Sequence, residues 1–245
     1  MYISRLVVKN FRNLPKVDIR LQPGLNCIVG ENNSGKSNLL FALQLVLDGN
    51  LPNFQRRLQK EDIARGTDLA NPAHVLIAVE ITDFDASKDP LKAKELAFAH
   101  EWQISETTAV ICFRFRPSES VRQQLVDKLR LPGSLTIEDY DWELVGGSPL
   151  DENDQPLDLA TVDWNHDFRV TVRPQILTAF KIGLLPALRD VEQDFRSRNS
   201  SPIQKLIEVM DFPEDRREAL VEMLHKVNEE LSKQKEVASL ATDID

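Results

Sequence analysis

The sequence predicts an α/β fold in which a short strand, a glycine loop and a helix form one unit beside an antiparallel β-subdomain, and three observations predict it. Residues Gly30, Glu31, Asn32, Asn33, Ser34, Gly35, Lys36 and Ser37 complete the phosphate-binding pattern G-x-x-x-x-G-K-[S/T]. Apolar residues alternate with polar ones in several runs on both sides of that loop, the period of half-buried strands. Toward the end of the chain the apolar spacing changes to that of helices.

Tyr2 to Lys9 is a strand candidate, and Val17, Ile19 and Leu21 alternate with charged neighbours, so the two runs make a hairpin around the turn Asn13, Leu14, Pro15. After the turn signal Pro23-Gly24, the apolar run Leu25, Asn26, Cys27, Ile28, Val29 predicts a buried strand leading into the loop. Leu39, Leu40, Ala42, Leu43, Val46 and Leu47 recur at helical spacing until Asp48, Gly49 and Asn50 stop the helix. Further strands are predicted at Val75, Ile77, Val79, Ile81, at Ile111, Phe113, Phe115, at Tyr140, Trp142, Leu144, and at Phe168, Val170, Val172, with helices around 92–99 and 119–130. Polar stretches at 62–72 and 148–163 read as loops, the second an acidic, solvated excursion. In the last fifty residues, Ile203, Leu206, Ile207, Met210 and then Leu220, Leu224, Val227, Leu231 fit two helical faces, either a helical hairpin capping the domain or the start of a longer arm.

The residue types in the loop each have a physical use. Gly30 and Gly35 permit backbone conformations that a Cβ obstructs, so amide N–H groups can converge on a polyphosphate. The helix that opens near Lys36 brings the positive end of its dipole to the same point. Lys36 supplies a mobile cation for the β- and γ-phosphates, Ser37 a hydroxyl for magnesium, and Asn38 borders the site. ATP and Mg2+ are therefore the expected cofactors.

Composition narrows the class. With 245 residues, 42% of them hydrophobic, the chain can bury a sizeable core. It has no apolar run long enough to span a bilayer and no cleavable signal, which predicts a cytoplasmic protein without a membrane partner. The net charge is −9, against general coating by nucleic acid, yet the first fifty residues carry six basic and three acidic side chains. A phosphate-binding lobe accounts for that local excess. Cys27 and Cys112 lie in apolar runs and are expected to pack as small hydrophobes. His74, His100, His166 and His225 lack metal-ligand spacing and read as surface or satisfied histidines.

The opening I-S-R-L-V-V-K-N-F-R-N and the segment G-L-N-C-I-V-G-E-N-N-S-G-K-S-N-L-L-F-A-L resemble the amino-terminal lobe of ABC-type ATPases of the RecF/SMC group. Within that group the segment from Leu39 to Arg65, ending K-E-D-I-A-R, and L-P-A-L-R-D at 185–190 are most similar to the OLD (overcoming lysogenization defect) family of ATP-dependent endonucleases, which act in DNA processing and phage defence. The resemblance implies an ABC-type P-loop ATPase lobe over residues 1–190, a mixed sheet with an added antiparallel β-subdomain, followed by a helical hairpin or arm over 191–245. It also implies that Arg12 and Asn13 approach the nucleotide phosphates, where a guanidinium fork suits a phosphate. Arg189 and Asp190 are either a hinge or a surface ion pair.

Such ATPases cleave ATP between two protomers, using an L-S-G-G signature and an apolar strand that ends in Asp-Glu; full-length relatives add a TOPRIM nuclease domain. None of these is found in the sequence. The three D-x-D triplets, Asp83/Asp85, Asp139/Asp141 and Asp243/Asp245, read as loop acids. The chain is thus expected to bind ATP and to hydrolyse it poorly alone, as a truncation or as a subunit completed by a homodimer or a partner chain. Two functional classes follow: an ATP-gated module of a DNA nuclease, or a RecF/SMC-like DNA clamp or scaffold without cleavage. A P-loop kinase or GTPase fits less well, because those folds do not open on this hairpin.

Overall fold

The computed structural model describes residues 1–83 and 101–179. Their strands are β1 (Tyr2–Phe11), β2 (Leu14–Arg20), β3 (Val75–Thr82), β4 (Thr108–Pro117), β5 (Tyr140–Gly146) and β6 (Val170–Thr171). They form one sheet in the order β2-β1-β3-β4-β5-β6, and every neighbouring pair is antiparallel. The α/β class and the predicted hairpin hold. Its turn is tighter than expected, however, because Leu14 and Pro15 already belong to β2 and only Arg12 and Asn13 lie between the strands.

Strand alternation gives the sheet two buried faces. On one, Leu6, Val8, Ile77, Val79, Ile111, Phe113 and Leu144 pack against Leu39, Ala42, Leu45 and Val46 of α1 (Lys36–Leu47). That helix is anchored at its far end by Arg56 of the short α2 (Asn53–Arg56), which is fully buried. Its guanidinium donates to the carbonyls of Leu45, Asp48 and Leu51 and lies over the Trp142 ring. The cation thereby satisfies helix-terminal carbonyls where the dipole is negative. The predicted helix at 119–130 is α3 (Glu119–Val126), shorter than expected, and that at 92–99 lies outside the described residues.

The opposite face carries Val7, Leu76, Ala78, Val110, Cys112 and Val145. Here the expectation of a solvated loop at 148–163 holds only in part: Glu152 to Gln155 are exposed, but the stretch that follows packs on the sheet. Leu159 and Val162 are each only 1% exposed, and with Leu157 and Phe168 they cover the strip as an irregular strap. Charged side chains at the ends of the strip fasten it. Arg5 joins Asp18, Glu80 and Asp158, and Lys9 donates to the Val162 carbonyl. Arg114 donates to the carbonyls of Asp163, Trp164 and His166, and Arg116 to those of Trp164 and His166 and to Asp167. Acidity attracts the loop to these cations while its apolar residues pack, so a charged composition does not keep it in solvent.

His74 also departs from expectation. It is 6% exposed, and its Nε2 is buried without a partner. Burial, and then the positive charge of Arg114 and Lys9, hold its pKa down to about 3, against the opposing pull of Asp163. Asp139 is a structural acid that pairs with Arg130 and caps the turn at Thr136. Asp85, the Asp243/Asp245 pair, Arg189, Asp190, His100, His225 and the segment 191–245, for which helices are expected, lie outside the described residues. No described helix is long and apolar enough to cross a membrane, and among the described residues no cluster of metal-ligating side chains occurs.

Candidate nucleotide-binding site

The glycine loop sits at the amino end of α1, as the sequence predicts, but the strand expected before it does not form. Residues 22–35 are irregular, and Leu25 and Val29 are 96% and 88% exposed. Among the described residues nothing pairs with residues 25–29 as a ladder partner. A strand needs a neighbour to take its amides and carbonyls, so an apolar run without one is left as a loop. Cys27, on the same run, is exposed rather than packed, whereas Cys112 is buried.

The loop has its own local order. Asn33 adopts a left-handed φ of 64°, and the Ser34 amide donates to the Glu31 carbonyl at 3.2 Å. Gly35, at φ 102° and ψ 4°, is the N-cap of α1, with no side-chain cap and no acidic residue in the first turn. The amides of that first turn are therefore not taken by a capping side chain, as an anion site requires. Space is tight at both glycines: a Cβ on Gly30 would meet Ser34 Oγ at 2.7 Å and displace that side chain, and one on Gly35, where φ of 102° already favours glycine, would meet Asn13 Oδ1 at 2.9 Å.

Asn13, Asn32, Asn33, Gly35, Lys36, Ser37 and Asn38 line a cleft of about 780 Å³. Lys36 Nζ donates to the carbonyls of Gly30 and Glu31, each at 2.6 Å, and lies 3.4 Å from Ser34 Oγ. The ammonium is thus held at the mouth of the loop by the same backbone that would surround a phosphate, and the exposed Ser37 follows it in the first turn. A triphosphate fits this donor set: the cation can exchange two carbonyls for phosphate oxygens, and the helix end supplies the remaining positive field.

Arg12 and Asn13 separate in role. Asn13 lines the cleft, and its Nδ2 donates to the Asn33 carbonyl at 3.0 Å. Arg12 stands behind it. Its Nε donates to Asp62 Oδ1 and its Nη1 to Asn38 Oδ1, each at 2.9 Å, and the guanidinium lies 4.6 Å from the Phe41 ring centroid. The structure thus brings Gly30, Glu31, Asn32, Asn33, Ser34, Gly35, Lys36, Ser37, Asn38 and Asn13 together and turns Arg12 toward Asp62. Sequence reasoning missed Asp62, because fifty residues separate it from Arg12 and no local pattern links them.

Known proteins share parts of this chain. The DNA replication and repair protein RecF of Actinobacillus pleuropneumoniae serotype 5b (strain L20) is 54% identical over 43 residues, 18% of this chain and 12% of RecF. Endonuclease GajA of Bacillus cereus (strain VD045) is 32% identical over 92 residues, 38% of this chain and 15% of the endonuclease. Each match therefore spans a small fraction of the relative's length. A solved SMC ATPase structure, described in terms of ATP-driven dimerization and DNA-stimulated activation, is 19% identical at a TM-score of 0.38, covering 91% of this chain and 98% of that one. The family model for the AAA ATPase domain matches residues 1–243, and the chain belongs to that family.

Proposed function

We propose that the chain is the ATP-binding part of an OLD-type ATP-dependent DNA endonuclease of the cytoplasm, in which nucleotide binding gates dimerisation and the access of DNA to a cleavage domain outside these residues. The observation that carries the reading is the Lys36 ammonium, poised on the Gly30 and Glu31 carbonyls beside the uncapped start of α1. Gly30, Glu31, Asn32, Asn33, Ser34, Gly35 and Lys36 surround the triphosphate, Asn13 and Asn38 border it, and Ser37 holds Mg2+. The metal, when bound, neutralises charge on the β- and γ-phosphates.

The bare run at 25–29 supports completion by a further strand, from the rest of the protein or from a partner chain, because five residues with three large apolar side chains exposed to water, Leu25, Ile28 and Val29, would gain from pairing. That completion would also supply the signature and Asp-Glu motifs for hydrolysis. The partial likeness to an endonuclease supports the nuclease reading. A RecF/SMC-like clamp or scaffold without cleavage is the second reading, favoured by the higher identity to RecF over a shorter stretch.

The test is binding of a fluorescent ATP analogue to the wild-type chain and to Lys36→Ala. The variant is expected to lose affinity by at least about 100-fold, the worth of one or two charge-assisted hydrogen bonds, with an unchanged circular dichroism spectrum. Equal affinity would refute the site.

A further inference from the structure

We propose that Asp62 is a positioning residue for the nucleotide, acting on the phosphate-binding loop through a directed chain of hydrogen bonds; this rests on the nucleotide reading of the cleft. The chain runs from the carboxylate outward. Arg12 Nε donates to Asp62 Oδ1 at 2.9 Å, Arg12 Nη1 to Asn38 Oδ1 at 2.9 Å, Asn38 Nδ2 to Asn13 Oδ1 at 2.8 Å, and Asn13 Nδ2 to the Asn33 carbonyl at 3.0 Å. Each amide accepts on one side and donates on the other, so the guanidinium at its head sets the orientation of both. The last link falls on the loop itself, between Asn32 and Ser34.

Asp62 is built to hold that head still. Its Oδ1 takes Arg12, while its Oδ2 accepts the Gln59 amide at 2.9 Å and so caps the 3₁₀ turn Lys60–Asp62. The backbone repeats the connection: the Arg12 amide donates to the Asp62 carbonyl at 2.8 Å and the Ala64 amide to the Asn10 carbonyl at 2.9 Å. Asn10 and Arg12 are held at left-handed φ values of 58° and 49°. Backbone of this kind persists where its surroundings over-determine it, and it concentrates at functional sites. Phe41 and Phe11 then confine the guanidinium, at 4.6 and 5.3 Å from their ring centroids.

The hydrogen bonds of the Asp62 carboxylate go to Arg12 and Gln59, neither of which lines the cleft, so its polar link to the nucleotide runs through Arg12. An acid that only braced the fold would stabilise the chain without a special energetic link to Asn13. A positioning acid makes the two residues parts of one unit, so that losing both costs little more than losing one.

The experiment measures affinity for a fluorescent ATP analogue and thermal stability on the full 245-residue chain. Asp62→Ala, Asn13→Ala and the double variant are compared with wild type and Lys36→Ala. Each single variant is expected to weaken binding about tenfold, and the double variant by no more than about threefold beyond either. Multiplying losses, or wild-type affinity for Asp62→Ala, overturn the proposal. Arg12→Lys covers the case in which Asp62→Ala fails to fold, since it keeps the cation but cannot bridge Asp62 and Asn38. A tenfold loss there supports the chain, and none overturns it. Failure of the wild-type chain to bind removes the nucleotide reading and this proposal together; binding by wild type, its loss in Lys36→Ala and its full retention in Asp62→Ala removes this proposal alone.

Discussion

Gly35→Ala tests whether the geometry at the head of α1 is demanded by the loop. The new side chain meets two separable penalties. At φ 102° the backbone is in a region that an L-residue avoids, at a cost of about 1–2 kcal/mol. Its Cβ would also lie 2.9 Å from Asn13 Oδ1 and 3.0 Å from Leu14 Cδ2, and overpacking of that sort costs about 1–3 kcal/mol. Asn13 can swing aside, but only by giving up its bonds to Asn33 and Asn38. The sum is about 2–5 kcal/mol, or a fall in Tm of roughly 4–20 °C for a chain of this size. Gly66→Ala is the control, since Gly66 has φ 91° and open space around its absent Cβ. It carries the backbone penalty without the contact. Thermal unfolding followed by circular dichroism should place Gly35→Ala clearly below Gly66→Ala, with weakened binding of an ATP analogue in the first only. Equal Tm values for the two variants would refute the reasoning.

The two cysteines should differ sharply toward a thiol reagent: exposed Cys27 reacts at once, while Cys112, buried under the strap with its thiol pKa pushed up by that burial, waits for denaturation. Simultaneous reaction of both would contradict the covered second face of the sheet. His74 makes stability depend on pH. The folded imidazole stays neutral down to about pH 3, whereas in the unfolded chain it gains a proton below about 6.5. The unfolded state thus binds more protons in that window, and stability falls as pH falls below about 6.5, by up to about 1.4 kcal/mol per unit. Urea unfolding of His74→Leu should lack this slope, and parallel pH curves for variant and wild type would exclude the explanation.

Much of the fold and of the site was legible from local physics. The glycine loop and Lys36 are read from types and spacing because each acts through nearby backbone, and α1 follows from apolar spacing that ends at Asp48. The strands β1, β3, β4 and β5 announce themselves as short apolar runs, but the half-buried period expected of them does not hold: both faces of the sheet are covered, so burial along β3 and β4 is nearly continuous. Tertiary structure alone decided three things. Apolarity told that residues 25–29 seek burial, but a strand exists only with a partner, and none is present among the described residues. Acidity marked 148–163 for solvent, yet buried Arg114 and Arg116 on β4 hold the carbonyls of Asp163 and of Trp164 just after it, and Leu159 and Val162 pack. The family resemblance set Arg12 near the phosphates, and the structure adds a partner that no local pattern discloses, Asp62, fifty residues on and brought there by the bridge between Phe11 and Ile63. A sequence displays what each residue prefers. Which preferences meet is settled by contacts between segments far apart in the chain.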